Sequence, residues 1–70
     1  MSTNIKGTYK HFKGNIYVVI GVGEHTENRE RHVVYYSEQD PSKIWIRPLD
    51  MFFDNVTRGD YSGPRFVKLS

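Results

Sequence analysis

Trp45-Ile46-Arg47-Pro48-Leu49-Asp50-Met51-Phe52-Phe53 is the stretch whose reading decides the fold. Together with Ile44 before it, Trp45-Ile46-Arg47 is β-branched and aromatic, which suits a pleated strand. Pro48 has no N–H and biases Arg47 towards extended geometry, so the strand is predicted to stop at Arg47. Beyond it, Leu49, Phe52 and Phe53 fall at i, i+3 and i+4 and share one side of a single helical turn. A proline is tolerated in such a first turn. The expectation is a strand, a tight helical turn and a further strand, with the aromatic cluster plugging the end of a small barrel.

Upstream, Gly7-Thr8-Tyr9-Lys10-His11-Phe12 reads as a first strand. Lys13-Gly14-Asn15 follows as a tight turn, for which Gly14 supplies positive φ. Ile16 to Val22 is the strongest strand pattern in the chain. Glu24 to Arg31 is a charged loop, His32 to Tyr36 a third strand, Glu38 to Ser42 a turn and Lys43 to Arg47 a fourth strand. Downstream, Thr57 to Pro64 reads as a loop and Arg65 to Leu69 as the last strand.

Pairing His25 with His32 places Ile16, Val18, Ile20 and Val22 on one face with Val33 and Tyr35. The opposite face then carries Tyr17, Val19, Val34 and Tyr36. Two apolar faces predict strands that curl rather than lie flat, and Gly21 and Gly23 sit where a long strand can bulge. The fold class predicted is all-β: a small five-stranded SH3-like barrel with one short helical turn before the last strand. Residues 1–6 are expected to form a flexible N-terminus, and 7–70 a single domain.

The bulk composition narrows the function. Seventy residues leave room for one small domain, without a cysteine for disulfides or thiol chemistry. Ten Phe, Trp and Tyr residues substitute for a larger core. No apolar run approaches the ~20 residues of a membrane span, and the first residues lack the apolar middle of a signal peptide. A cytoplasmic protein with no membrane association is expected. The net charge of +2 is small, but it is unevenly spread, with both ends basic and residues 24–40 acidic.

Gly7-x-Tyr9-x-His11-x-Lys13-Gly14, Tyr17-x-Val19, Val34-Tyr35, Trp45-x-Arg47-Pro48-x-x-Met51-Phe52 and Pro64-Arg65-Phe66 occur in a distinctive order and spacing. In these the chain resembles a family of small bacterial domains catalogued as a domain of unknown function, number 1653 in its series. The resemblance runs from about Gly7 to Phe66, with a local departure at Tyr36-Ser37 and the acidic turn that follows. It implies a compact β-rich domain, usually a stand-alone bacterial protein. It implies no activity, substrate or cofactor.

The residues themselves suggest recognition rather than chemistry. There is no nucleophile elbow and no paired carboxylates outside the loop acids, so no catalytic residue is assigned and the chain is not expected to be an enzyme. Gly21-x-Gly23 opens like a dinucleotide fingerprint, but Thr26 stands where the third glycine belongs. His25 and His32, with Glu24 and Glu30 close by, are a weak ligand set, so neither metal nor cofactor is expected.

The candidate ligand-binding set is Tyr9, His11, Lys13, Tyr17, Trp45, Arg47 and Arg65. Alternation puts Tyr9, His11 and Lys13 on one face of their strand and Trp45 and Arg47 on one face of theirs. Cations among flat rings suit an anionic small molecule or nucleic acid. Alternatively, Arg47 and Arg65 brace the fold by bonding backbone carbonyls or pairing with Asp50 and Asp54. The first function expected is thus a non-enzymatic binding module with an aromatic and basic groove. The second is a protein or peptide interaction module, or a homodimer, using the Tyr17, Val19, Val34 and Tyr36 face or a strand edge.

Overall fold

The computed structural model describes residues 5–70. Its elements follow one another as β1 (Gly7–His11), β2 (Ile16–Glu24), β3 (Arg31–Ser37), β4 (Asp40–Pro48), α1 (Leu49–Phe52), β5 (Asn55–Arg58), β6 (Tyr61–Pro64) and β7 (Phe66–Lys68). This is the all-β class with a short helical turn. Residues 1–4, within the stretch expected to be flexible, lie outside the described residues. Ile5 packs against the core, and its carbonyl accepts a hydrogen bond from the Tyr9 hydroxyl at 2.8 Å.

The larger sheet is antiparallel in the order β4-β3-β2-β1-β7, and β5 pairs with β6 apart from it. Its five strands are the five read from sequence. The expected barrel closure is absent: β4 and β7 are the two edges, and no described pairing joins them. The chain instead makes seven strands in two sheets. The extra hairpin comes from the stretch read as a loop. Gly59 takes φ 55° at the first position of a two-residue turn, with Arg58 opposite Tyr61. Glycine-led two-residue turns match the twist of paired strands, so turn-rich composition here joined strands rather than replacing them.

The first turn forms as its glycine predicts. Gly14 has φ 104° and donates its N–H to the His11 carbonyl at 2.7 Å. The β2–β3 register differs from expectation, because His32 opposes Gly23 rather than His25, while the bulge expected near Gly21 lies between Val19 and Gly21. Beyond the bulge Val22 opposes Val33 and so stands on the same side of the sheet as the alternation predicts, although it remains exposed at the end of the strand. Before it, Val19 opposes Tyr35. One inserted residue inverts which side chains point inward. Tyr17 and Val19 therefore share a face with Val33 and Tyr35, and the four residues expected to form a second apolar face are divided. Val34 and Tyr36 look outward with Ile44 and Ile46, which oppose Tyr36 and Val34.

Tyr9, Val19, Val33, Tyr35, Phe52 and Phe66 are the buried cluster, with Tyr17 and Leu49 packed against it. Phe52 is 0% exposed. Its ring stacks on Phe66 at 4.0 Å and meets the edges of Tyr9 and Tyr35 at 5.3 and 5.4 Å. Pro48 stands at the N-cap without a side-chain cap, and Phe53 N–H returns to the Leu49 carbonyl. The aromatic plug is thus narrower than expected. Phe52 alone is fully buried in it, whereas Trp45, Met51 and Phe53 remain exposed, because one turn of helix points only one side chain squarely inward.

Candidate functional site

The site is built on the core-facing side of the sheet, around β1. Tyr9 opposes Tyr17, Val19 opposes Tyr35, and Tyr35 and Val33 oppose Trp45 and Arg47. Directly opposed residues of antiparallel strands share a face. Tyr9, His11, Tyr17, Trp45 and Arg47 therefore all stand on one side, and Phe66 joins them opposite His11. Sequence alternation had placed them pair by pair on their own strands. Only the ladder brings the strands into a common surface.

On that surface His11, Tyr17, Arg47 and Arg65 come together. The His11 ring lies 4.5 Å from Phe12, 4.9 Å from Phe66 and 6.1 Å from Tyr17. Tyr17 in turn meets Tyr35 and Phe66 edge-on, at 5.5 and 5.7 Å. These rings make an aromatic floor. Arg47 Nε donates to the Tyr35 hydroxyl at 3.4 Å, which brings the guanidinium to the edge of that floor. Lys13 sits at the rim in the β1–β2 turn, and its backbone N–H donates to His11 Nδ1 at 3.1 Å. That bond makes Nδ1 the acceptor and leaves the proton of a neutral ring on Nε2.

Arg65 is the most firmly held cation. Its Nε and Nη2 reach the two oxygens of Asp54 at 2.8 and 3.2 Å, a bidentate pair. The backbones agree, because Arg65 N–H donates to the Asp54 carbonyl at 3.0 Å. Hydrogen bonding from Arg65 lowers the Asp54 carboxyl below the usual carboxylate range and raises Arg65 in return. Arg65 therefore braces the base of the β5–β6 hairpin. No carboxylate forms a direct ion pair with Arg47 among the described residues, although the charge of Arg47 also helps lower the Asp54 carboxyl.

The His11 imidazole reports the local field. Partial burial lowers its pKa from the ordinary value, and Arg65, Lys13 and Arg47 lower it further. Three cations thus act on one half-buried ring, on a surface whose one nearby acid, Asp54, is occupied by Arg65. Such a place disfavours an added proton and favours an anion.

The remaining candidates lie apart. Tyr9 is buried, its hydroxyl is engaged by Ile5, and burial raises its pKa. Its role is in the core. Trp45 opposes Tyr35 but stands at the sheet edge, exposed to solvent. Tyr35 and Asp54 are partners that the candidate set lacked. Asp54 was legible as a possible mate of an arginine; Tyr35 stood in the Val34-Tyr35 motif, but nothing in the spacing pointed to its hydroxyl as the partner of Arg47.

His25 and His32 come within 6.0 Å, ring to ring, although they do not oppose each other in the ladder. A concavity of about 160 Å³ lies beside them, lined by Gly23, Glu24, His25, His32, Val34 and Ile46. No group of three or more metal-ligating side chains occurs among the described residues. No helix there is long and apolar enough to cross a membrane.

The comparisons with known proteins bear on the whole chain. Residues 7–68 match the family model described as protein of unknown function (DUF1653). The chain is a member of the DUF1653 family. It is also similar to the crystal structure of a protein of that family from Bordetella bronchiseptica, with a TM-score of 0.84 and 28% identity over 94% of this chain and 87% of the other. No similar protein is found among curated ones. Membership of DUF1653 agrees with the all-β architecture and carries no ligand, partner or reaction with it.

Proposed function

We propose that this DUF1653 chain is a bacterial, cytoplasmic binding module that recognises an anionic group without transforming it. The observation that carries the reading is Arg47. Its guanidinium donates to the Tyr35 hydroxyl, forms no direct ion pair among the described residues although its charge helps lower the Asp54 carboxyl, and shares the field that Arg65 and Lys13 impose on His11. A half-buried arginine without a carboxylate is a donor set waiting for one, and a guanidinium grips a carboxylate or phosphate with two parallel bonds. Tyr17 and His11 add ring faces and edges to the same surface. The bacterial source of the related crystal structure and the lack of cysteine fit the placement.

The test is titration with inorganic phosphate and with a single-stranded oligonucleotide, following the His11 and arginine side-chain NMR signals at low and moderate salt. Arg47→Gln is expected to remove most of the response, and salt to weaken the oligonucleotide response steeply. Binding that ignores both salt and Arg47 refutes the reading.

A second reading has its own observation. Ile44, Trp45 and Ile46 are exposed on β4, an edge of the larger sheet. An open apolar edge supports an interaction module for a protein or peptide, on the outward face and edge rather than on the four residues first grouped together.

A further inference from the structure

The two readings share a strand. Arg47 and Trp45 belong to β4, and β4 has β3 on one side and no strand on the other. Ile44, Trp45 and Ile46 are 55%, 47% and 62% exposed. Alternate residues of a strand point to opposite faces, so both faces of β4 are open along with its edge. Unpaired N–H and C=O groups in a row, flanked by apolar side chains, form a template for another strand. Pro41 and Pro48 interrupt that row at either end, and no proline lies between them. The open edge is therefore short and bounded.

We propose that the anion taken by Arg47 is a carboxylate on an extended peptide, which adds along β4 as a further strand of the larger sheet. This rests on the reading of Arg47 given above and names its partner. The register dictates the peptide. A residue opposite Arg47 shares the core-facing side and is acidic, and the residue opposite Trp45 on that side presents an apolar chain to the indole. Residues opposite Ile44 and Ile46 look outward and are apolar.

Charge favours an acidic segment. Lys43 and Arg47 flank Trp45, and neither forms a direct ion pair among the described residues. A second copy of this chain fits less well. Antiparallel self-pairing centred on Trp45, the register that best overlaps the apolar run, sets Lys43 of each copy against Arg47 of the other. A nucleic acid would meet the cations but leave the backbone groups of β4 without partners.

The test uses the intact chain and a synthetic peptide, acetylated and amidated, in which glutamate, valine, leucine and valine are flanked by threonines. It is made in both chain directions, because either orientation can add to an edge. Trp45 is the single tryptophan, so its emission reports occupancy at the proposed edge. Binding of one direction is expected, about tenfold weaker when the glutamate is replaced by glutamine. Arg47→Gln is expected to erase that difference. Backbone N-methylation at alternate positions separates strand addition from a purely ionic contact: one set of amides, facing β4, abolishes binding, and the other leaves it intact.

Phosphate responding through Arg47 while the peptide stays silent overturns strand addition and leaves the anion reading standing. Silence from phosphate and peptide alike removes both. Equal tolerance of the two methylation sets, or an oligonucleotide binding more tightly than the peptide, overturns the proposal. So does a concentration-dependent dimer, seen by sedimentation, that the peptide disperses without the glutamate mattering.

Discussion

Phe52→Ala is the substitution on which the account of the fold is most exposed. Phe52 is fully buried, stacks on Phe66 at 4.0 Å and touches Tyr9 and Tyr35 edge-on. Truncating a buried phenylalanine costs about 3–5 kcal/mol, through lost transfer free energy and the cavity left behind. Ring pairs contribute about 0.5–1.5 kcal/mol each beyond area, and Phe52 makes several, so the upper half of that range applies. A domain of 70 residues has only roughly 4–10 kcal/mol of total stability at ~0.05–0.15 kcal/mol per residue. One side chain therefore carries a large share, and the variant is expected to be substantially unfolded at room temperature. The assay is urea unfolding followed by Trp45 emission and by circular dichroism, with Phe52→Leu as a folded intermediate case and Phe53→Ala as control. Phe53 is adjacent and half-exposed, with edge-on contacts to Phe52 and Tyr9, so its truncation should cost about 1–2 kcal/mol, well below that of Phe52. Equal, small losses for Phe52→Ala and Phe53→Ala would refute the placement of the helical turn over the core.

Three further expectations concern the site. Asp54 titrates below the usual carboxylate range because Arg65 bonds it. Its contribution to stability is therefore present above the unfolded-state value near pH ~4 and is lost as pH falls through the folded value. Thermal unfolding scanned from pH 6 to 2 should show that loss in the native chain and a flatter profile in Asp54→Asn. His11 also titrates low, through burial and then through Arg65, Lys13 and Arg47. It too adds stability above its unfolded value of ~6.5, which declines as pH drops towards the folded value. Arg47→Gln should move the His11 titration upward by NMR, and an unmoved curve would place Arg47 away from the ring. Tyr35→Phe removes the acceptor of the Arg47 Nε bond. At 3.4 Å that bond is long, so stability should fall by only about 0.5 kcal/mol while phosphate affinity drops with the loss of guanidinium orientation.

Strands, turns and the helical turn were open to local reading because each depends on its own few residues. Pro48 ended a β-branched run, Gly14 permitted a tight turn, and alternation marked Arg65 to Leu69 as a strand. The β5–β6 hairpin escaped that reading because Gly59, Asp60, Gly63 and Pro64 carry the same composition whether a turn joins two strands or replaces them. The grouping of Tyr17 and Val19 with Val34 and Tyr36 failed for another reason. A single bulged residue between Val19 and Gly21 reverses the facing of everything before it; Gly21 marked where a bulge could fall, but not which side chains it would turn inward.

By itself the sequence determined the all-β class, the order of the five main strands and the kinship with DUF1653, since these rest on periodicity, turn chemistry and motif spacing along one dimension. Tertiary structure alone decided that the sheet stays open, that Tyr9 lies in the core, that Arg65 is taken by Asp54 and that Arg47 bonds the Tyr35 hydroxyl rather than a carboxylate. Those outcomes depend on which residues face each other across strands. Cross-strand facing is a product of register, and register is settled by the packing of the whole sheet rather than by any stretch within it.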